Sequence, residues 1–177
     1  FDLLSREFAH TRRKNLLLRD LDELVNQQLA KMLFANPQRI DYYDRYQEII
    51  DAYNAEQNRA TIEKTFMDLM ELASSLDTEQ QRYVREGFSS DEELSVYDLL
   101  FSENLTKQEI ETIKKVSVDL LTKIKQQIAK LDHWTDKQET KAIVDNLIRK
   151  TLWQELPNSY DVNDIQTYQK KIYEYVY

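Results

Sequence analysis

Glycine occurs once in this 177-residue chain, at position 87, although ordinary proteins contain about 7% glycine. Tight hairpin turns, dinucleotide-binding loops and phosphate-binding loops need glycine where the backbone turns sharply or approaches a ligand closely. The same shortage excludes the G-x-S-x-G elbow of many hydrolases. Cysteine is absent, which excludes disulfides, thiolate metal sites and a cysteine nucleophile. The composition therefore predicts a helical chain without any of these chemistries.

The hydrophobic residues recur at the spacing of an α-helix. In the clearest example, Leu18, Leu21, Val25, Leu29 and Met32 are three or four residues apart and share one helix face. Similar stripes run over 42–53, 62–76, 94–101, 110–131, 143–152 and 165–175. No segment gives a convincing strand. The pattern predicts an all-α fold, a multi-helix bundle of about seven helices with no sheet.

Several predicted helix boundaries carry residues that typically start or stop a helix. Pro37 disfavours helical geometry in the residue before it, so the first long helix should end near Asn36. Gly87 is a natural C-terminal stop for the third stripe, whose seam extends toward Tyr83. The predicted helix starts are the capping boxes Ser90-x-x-Glu93, Thr106-x-x-Glu109 and Thr135-x-x-Gln138 and, for the last helix, Asp161 or Asn163.

The domain prediction is a single C-terminal helical domain over 1–177, with a lead-in segment at 1–16 and possible sub-lobes at 17–88 and 89–177. No stretch approaches the roughly 18 apolar residues of a membrane span, and no signal peptide is visible. Because the first residue is Phe1 and not Met, we expect a fragment of a longer protein. The missing cysteines fit a cytoplasmic location.

Charge is distributed unevenly along the chain, whose net charge is −8. The window 77–111 has ten acidic and three basic residues, a net of −7, whereas residues 1–19 have a net of +3. A net-acidic domain is not an obvious nucleic-acid binder. The acidic window is either a set of solvated helix faces or a surface that repels DNA or docks a basic partner.

The residues do not predict catalysis or metal binding. Glu7 and His10 form one Glu-x-x-His motif, but a di-iron bundle needs two, and the other histidine, His133, follows Lys130 at that offset. Nothing selects a catalytic pair among the 32 carboxylates. A nuclease would need an Asp followed by Glu-x-Lys on adjoining strands, and no strands are predicted. We therefore expect no catalytic, cofactor-binding or metal site in this chain.

Tyrosine, which occurs 11 times, is the strongest local signal. Its apolar ring and polar hydroxyl suit both half-buried helix seams and interfaces. Two crowded groups are therefore either packing seams or a contact surface for another subunit. The candidate partner-binding residues are Tyr42, Tyr43, Tyr46, Tyr53, Tyr173 and Tyr175. Trp134 and Trp153 are predicted to anchor the core around the sixth helix.

Two groups of basic residues are candidate DNA contacts. They are Arg12, Arg13 and Lys14 near the start, and Lys137, Lys141, Arg149 and Lys150 on or near one side of the sixth helix. Lysine and arginine side chains at this spacing could bind the phosphates of DNA. They could equally pair with Glu139 and Asp145 on their own helix.

The segment from Asn36 to Asn54 resembles the start of a known helical region. It fits the pattern N-P-x-R-x-D-[FY]-x-x-[RK]-[FY]-x-x-[IL]-[IL]-x-x-Y-N. That pattern is typical of the C-terminal helical region of the motor-and-nuclease (R) subunit of type I restriction-modification enzymes. Further pieces follow in the expected order: L-M-E-L-A at 69–73, E-E-L-S-V-Y-D-L-L at 92–100, D-H-W-T at 132–135 and a basic helix at 141–150. The resemblance covers about residues 12–177.

The resemblance implies a non-catalytic assembly role. In such a subunit the nuclease and the motor, with their ATP and Mg²⁺, lie in upstream domains, so the parent protein would be an ATP-dependent site-specific deoxyribonuclease. The C-terminal region would join the motor to the methyltransferase and specificity subunits, and would meet DNA indirectly through the complex. Two alternatives stay open: direct contact with duplex DNA through the basic residues, and a free-standing helical adaptor.

Overall fold

Nine α-helices occur in the structure, a computed structural model that describes residues 2–56 and 58–177. They are α1 Asp2–His10, α2 Lys14–Ala35, α3 Ile40–Ala55, α4 Arg59–Gln80, α5 Arg82–Arg85, α6 Asp91–Leu100, α7 Lys107–Ile128, α8 Gln138–Glu155 and α9 Val162–Val176, with a 3-10 turn at Pro37–Arg39. No strand occurs among the described residues, and the all-α prediction is confirmed. Phe1, the first residue of the predicted lead-in segment, lies outside the described residues.

Two of the helices were not predicted as separate elements: α1 has no counterpart among the hydrophobic stripes, and α5 lies in the extension of the third stripe toward Tyr83. In α1, Phe8 is buried and its ring stacks on that of Phe66, with centroids 3.7 Å apart. The four residues of α5 include no buried side chain. Elements this short carry too few apolar residues to give a periodic pattern.

The chain divides into two units, 1–85 and 86–177. In the first, α4 packs against α2 and α3, and the predicted stripe from Leu18 to Met32 is buried. In the second, α7 packs against α6 and α8, and α9 packs against α8 and α6. Its core includes the fully buried Leu94, Leu120 and Ile148. The single domain over 1–177 stays a prediction.

Local sequence signals place several boundaries correctly. The α2 helix ends at Ala35, one residue before Asn36. At the start of α7 the capping box is reciprocal: the Thr106 hydroxyl accepts from the N–H of Glu109, and the Glu109 carboxylate accepts from the N–H of Thr106. Of the two residues predicted to cap α9, it is Asp161 that does so.

The other two predicted capping boxes are not formed in full: the Thr135 boundary is wrong, whereas the Ser90 boundary is confirmed without the reciprocal bond of the box. Thr135 does not cap α8; its hydroxyl donates to Asp136, and the helix begins three residues later at Gln138. Ser90 does cap α6, but the Glu93 carboxylate accepts from the N–H of Ser89, the residue before the cap. A capping pattern thus identifies the region of a helix start, and competing local hydrogen bonds decide its first residue.

The predicted third helix ends earlier than its seam suggests. It stops at Gln80, and the short α5, which contains Tyr83, follows before Gly87. Gly87 has φ of +84°, in the left-handed region that glycine occupies without the steric cost other residues incur. The glycine therefore ends the α4–α5 segment, as a stop before α6.

Replacing Gly87 by alanine is expected to lower the free energy of unfolding by about 1 kcal/mol, because a Cβ disfavours positive φ. No heavy atom lies within 4 Å of the Cβ position, so the loss comes from the backbone alone. Urea unfolding followed by circular dichroism measures it. The Gly87→Asn variant should lose less of the free energy of unfolding, since asparagine tolerates this backbone conformation. An alanine variant as stable as the original would contradict the prediction.

Candidate functional site

The tyrosines of α3 do not share one environment. Tyr46 is only 6% exposed, and its hydroxyl donates to Asp22 Oδ1 at 2.8 Å. Burial, this hydrogen bond and the charge of Asp22 raise the pKa of Tyr46. Tyr42 and Tyr53 are half-buried, whereas Tyr43 is exposed. Within this helix, Tyr43 therefore offers the most accessible ring and Tyr46 belongs to the core.

The tyrosines at the chain end are divided between two sides of α9. Tyr173 and Tyr177 surround Trp134 edge-on, with ring centroids 6.3 and 5.9 Å from the indole. Tyr175 points toward α6 instead, where burial raises its pKa, a hydrogen bond with Ser95 lowers it and the charge of Glu92 raises it. The structure thus brings Tyr173 to an aromatic cluster that excludes Tyr175.

A groove runs along the outside of the α8–α9 pair. Its lining residues fall at positions i, i+3, i+4 and i+7 of each helix: Asn146, Arg149, Lys150 and Trp153 on α8, and Val162, Ile165, Gln166 and Gln169 on α9. The groove has a volume of about 560 Å³, within the range of about 300–1,000 Å³ that is usual for ligand pockets.

The prediction that Trp153 anchors the core is wrong, because this residue is 59% exposed. The phase of α8 explains this placement. Val144, Ile148 and Leu152 are buried, and at 3.6 residues per turn Trp153 lies half a turn away from Val144. Helix phase, given more weight than residue type, could have placed Trp153 on the outer face.

The basic residues of α8 also do not share one side. Lys141 and Lys150 are nine residues apart, two and a half turns of a helix, and therefore lie on opposite sides. Lys141 Nζ lies over the Tyr177 ring at 5.0 Å, whereas Arg149 and Lys150 line the groove. Lys137 is the residue before the first turn of α8. The structure brings together two of the four predicted basic residues.

Comparison with known proteins identifies the family. The model of a family described as "Type I restriction enzyme HindI endonuclease subunit-like, C-terminal" matches residues 2–176. This chain belongs to that family. No curated protein sequence matches the chain significantly, and no solved structure does so.

In this type I restriction endonuclease C-terminal domain, the N-P-x-R segment holds a turn. Asn36 is fully buried and its side chain accepts from the N–H of Gln38 at 3.1 Å. Pro37 is the first residue of the 3-10 turn. Arg39 is 3% exposed, and its Nε donates to Glu79 Oε1 at 3.0 Å. The N-P-x-R part of the motif therefore connects α2, α3 and the end of α4, and its Asn36 and Arg39 are buried.

The basic residues near the start of the restriction-subunit domain have two different environments. Arg12 and Arg13 are exposed in the turn between α1 and α2. Lys14 Nζ, in contrast, donates to Glu63 Oε1 at 2.5 Å and lies 5.0 Å from the centre of the Phe8 ring. Lys14 therefore holds α1, α2 and α4 together, while Arg12 and Arg13 present their charges to solvent.

Two other kinds of site do not occur in the described part of this restriction-subunit domain. Within residues 2–56 and 58–177, no group of three or more His, Asp or Glu side chains is placed to hold a metal ion. No helix in the same ranges is long and apolar enough to cross a membrane.

Proposed function

We propose that this chain is a non-catalytic assembly domain, which docks the R subunit of a type I restriction endonuclease onto its methyltransferase–specificity core. The observation that carries the proposal is the α8–α9 groove, where the exposed Trp153 stands beside Arg149 and Lys150. Membership of a family of type I restriction enzyme subunits supports it, since such a family suggests a multi-subunit complex.

The chemistry of the groove favours protein contact. Trp, Tyr and Arg are the residues most often found at the energetic centres of protein interfaces. A large ring that is already exposed loses hydration on binding without any rearrangement of the core, and this loss favours association. The charged side chains beside Trp153 would set orientation and association rate more than affinity.

The same proposal assigns the chemistry to other parts of the subunit. ATP hydrolysis, Mg²⁺ binding and DNA cleavage would belong to the motor and nuclease domains. Residues 1–177 would then need neither ATP nor Mg²⁺ to bind their partner. DNA would reach this domain through the assembled complex.

The assembly role is tested by removing this domain from the full R subunit. The truncated subunit is expected to bind the purified methyltransferase–specificity core at least tenfold more weakly, a loss of about 1.4 kcal/mol or more. Analytical ultracentrifugation measures the complex. DNA-stimulated ATP hydrolysis by the truncated subunit serves as the control that its motor is folded. Unchanged association of the truncated subunit would contradict the proposal.

Direct contact with duplex DNA is a second candidate function, favoured by the exposure of Arg12 and Arg13. It is separated from the first by titrating the 177-residue chain with duplex DNA at several salt concentrations. Phosphate contacts predict an affinity that falls steeply with salt. Absence of binding at low salt would rule this candidate out. The family describes a C-terminal region of a larger subunit, and we do not propose a free-standing adaptor.

A further inference from the structure

The α8–α9 groove differs in charge from the chain that forms it. The protein has eight more acidic than basic residues, yet the eight lining residues include two bases and no acid. Three of the others, Asn146, Gln166 and Gln169, carry side-chain amides. The groove is therefore a cationic, amide-bearing strip on an acidic protein.

The two cations of the groove are available for a ligand. Arg149 donates to Asn146 Oδ1 at 2.8 Å, and neither Arg149 nor Lys150 forms an ion pair with a described residue. The acids close in sequence to the lining residues are engaged with other groups: Asp145 accepts from Gln169, Glu155 pairs with Lys123, and Asp161 and Asp164 each accept from the other's N–H. The lining of the groove therefore contains no carboxylate, although an arginine side chain forms strong hydrogen bonds with carboxylates.

Apolar surface lies next to these cations. Trp153 and Val162 are 59% and 52% exposed, and Ile165, which is 7% exposed, also lines the groove. The lining covers positions i to i+7 of each helix, a length of about 10 Å at 1.5 Å per residue. This length matches two turns of a third helix laid between α8 and α9.

We propose that the groove binds an amphipathic helix of a protein partner, about two turns long, with an apolar side chain seated on Trp153 and carboxylates directed at Arg149 and Lys150. The proposal rests on the assembly function and names the chemistry of its partner segment. An amphipathic helix presents anchors at i, i+3, i+4 and i+7, so one face of a two-turn helix can contact both walls of the groove. Charge complementarity selects an acidic helix over a basic one.

Duplex DNA matches the same groove less well. Phosphates would satisfy Arg149 and Lys150, but they would leave the rings and methyl groups of Trp153, Val162 and Ile165 without a matching apolar surface. A protein helix contacts both parts. The two ligands therefore differ in whether Trp153 contributes to binding.

The first test replaces Trp153 by alanine in the full R subunit and measures affinity for the purified methyltransferase–specificity core. Truncating a central aromatic anchor is expected to weaken binding about tenfold or more. The matched control is Ile143→Ala on the same helix, because Ile143 is 43% exposed but does not line the groove. Circular dichroism verifies that both variants are folded.

A second variant tests the opposite wall of the groove, at the start of a helix. Val162 is the first residue of α9, where an acidic side chain is favourable for the helix. Val162→Asp places a negative charge in the groove and is expected to weaken binding about tenfold. Asn163→Asp adds the same charge at the next, exposed residue, outside the groove, and should leave the affinity unchanged.

The third variant replaces the two cationic residues of the groove by glutamate. Arg149→Glu with Lys150→Glu is expected to weaken binding at least tenfold, compared with Lys115→Glu and Lys130→Glu, which make the same charge change at exposed residues elsewhere. Loss of affinity in all three groove variants, with the controls unchanged, supports the proposal.

Two outcomes would overturn the inference. If the truncated subunit fails to join the core but all groove variants join it normally, the assembly function stands and the groove is not the contact. If only the double charge exchange weakens binding and duplex DNA competes with the core, the groove binds phosphate and not a helix.

Discussion

Replacing Arg39 by alanine is expected to destabilise the fold by about 3 kcal/mol, because removing one partner of a buried ion pair leaves the Glu79 carboxylate with less compensating charge. The Arg39 side chain is 4% exposed and that of Glu79 12% exposed. Arg82 also pairs with Glu79, at 3.1 Å, and this second partner limits the loss to the lower end of the usual range. Urea unfolding of the 177-residue chain measures the change.

The same motif supplies a matched control. Arg45 occupies the second basic position of the pattern and pairs with Glu71 at 2.8 Å, but the two side chains are 42% and 70% exposed. An ion pair in this setting contributes about 1 kcal/mol or less, and Arg45→Ala should lose no more than that. Arg39→Lys keeps the charge without the planar guanidinium and should fall between the two. Equal losses for Arg39→Ala and Arg45→Ala would contradict the argument.

Most of the helices could be predicted because their signals are local. The stripe from Leu18 to Met32 needs only the period of the helix, and it is buried as expected. The cap formed by Thr106 and Glu109 needs only residues three apart. Patterns contained within one or two turns can thus be read without knowledge of tertiary contacts.

The roles of Arg39 and Tyr46 could not be predicted, because their partners lie far along the chain. Arg39 donates a hydrogen bond to Glu79, which is 40 residues away, and Tyr46 donates one to Asp22, which is 24 residues away. Nothing in the sequence near either residue indicates these pairs. Both residues were recognisable as parts of a family pattern, but only the tertiary structure gives the physical reason.

The groove shows a different limit of the sequence analysis. Trp153 was assigned to the core by its residue type, although the phase of α8 places it outside. Arg149 and Lys150 were recognised as basic residues of interest, but their neighbours across the groove, such as Ile165, lie on another helix. A site formed by two helices becomes visible only when both are packed together.

Alkaline pH is expected to destabilise the protein through buried tyrosines, one of them in each unit. Tyr46 is 6% exposed and Tyr160 7% exposed; their hydroxyls donate to Asp22 Oδ1 at 2.8 Å and to the Leu100 carbonyl at 2.6 Å. Burial is the main cause that raises the pKa of both. An unfolded tyrosine loses its proton near pH 10, whereas these two keep theirs in the folded state.

The direction in which stability changes with pH follows from the number of protons bound by the folded and unfolded chains. Above about pH 10 the unfolded chain binds fewer protons than the folded chain, so stability falls as pH rises, by about 1.4 kcal/mol per pH unit for each such tyrosine. The contribution is fully present below pH 10 and is lost as pH rises toward the folded-state pKa. Free energies of unfolding in urea, measured from about pH 8 to about pH 12, give the slope.

Tyr46→Phe and Tyr160→Phe separate this effect from the lost hydrogen bonds. At about pH 8 each variant should be less stable than the original by about 1–3 kcal/mol, since a buried acceptor loses its donor. Above about pH 10 each variant should lose stability more slowly, by about 1.4 kcal/mol per pH unit. The curves of the original and the variant should therefore converge and cross one or two pH units above 10. Parallel curves would mean that these two hydroxyls do not titrate differently in the folded and unfolded states.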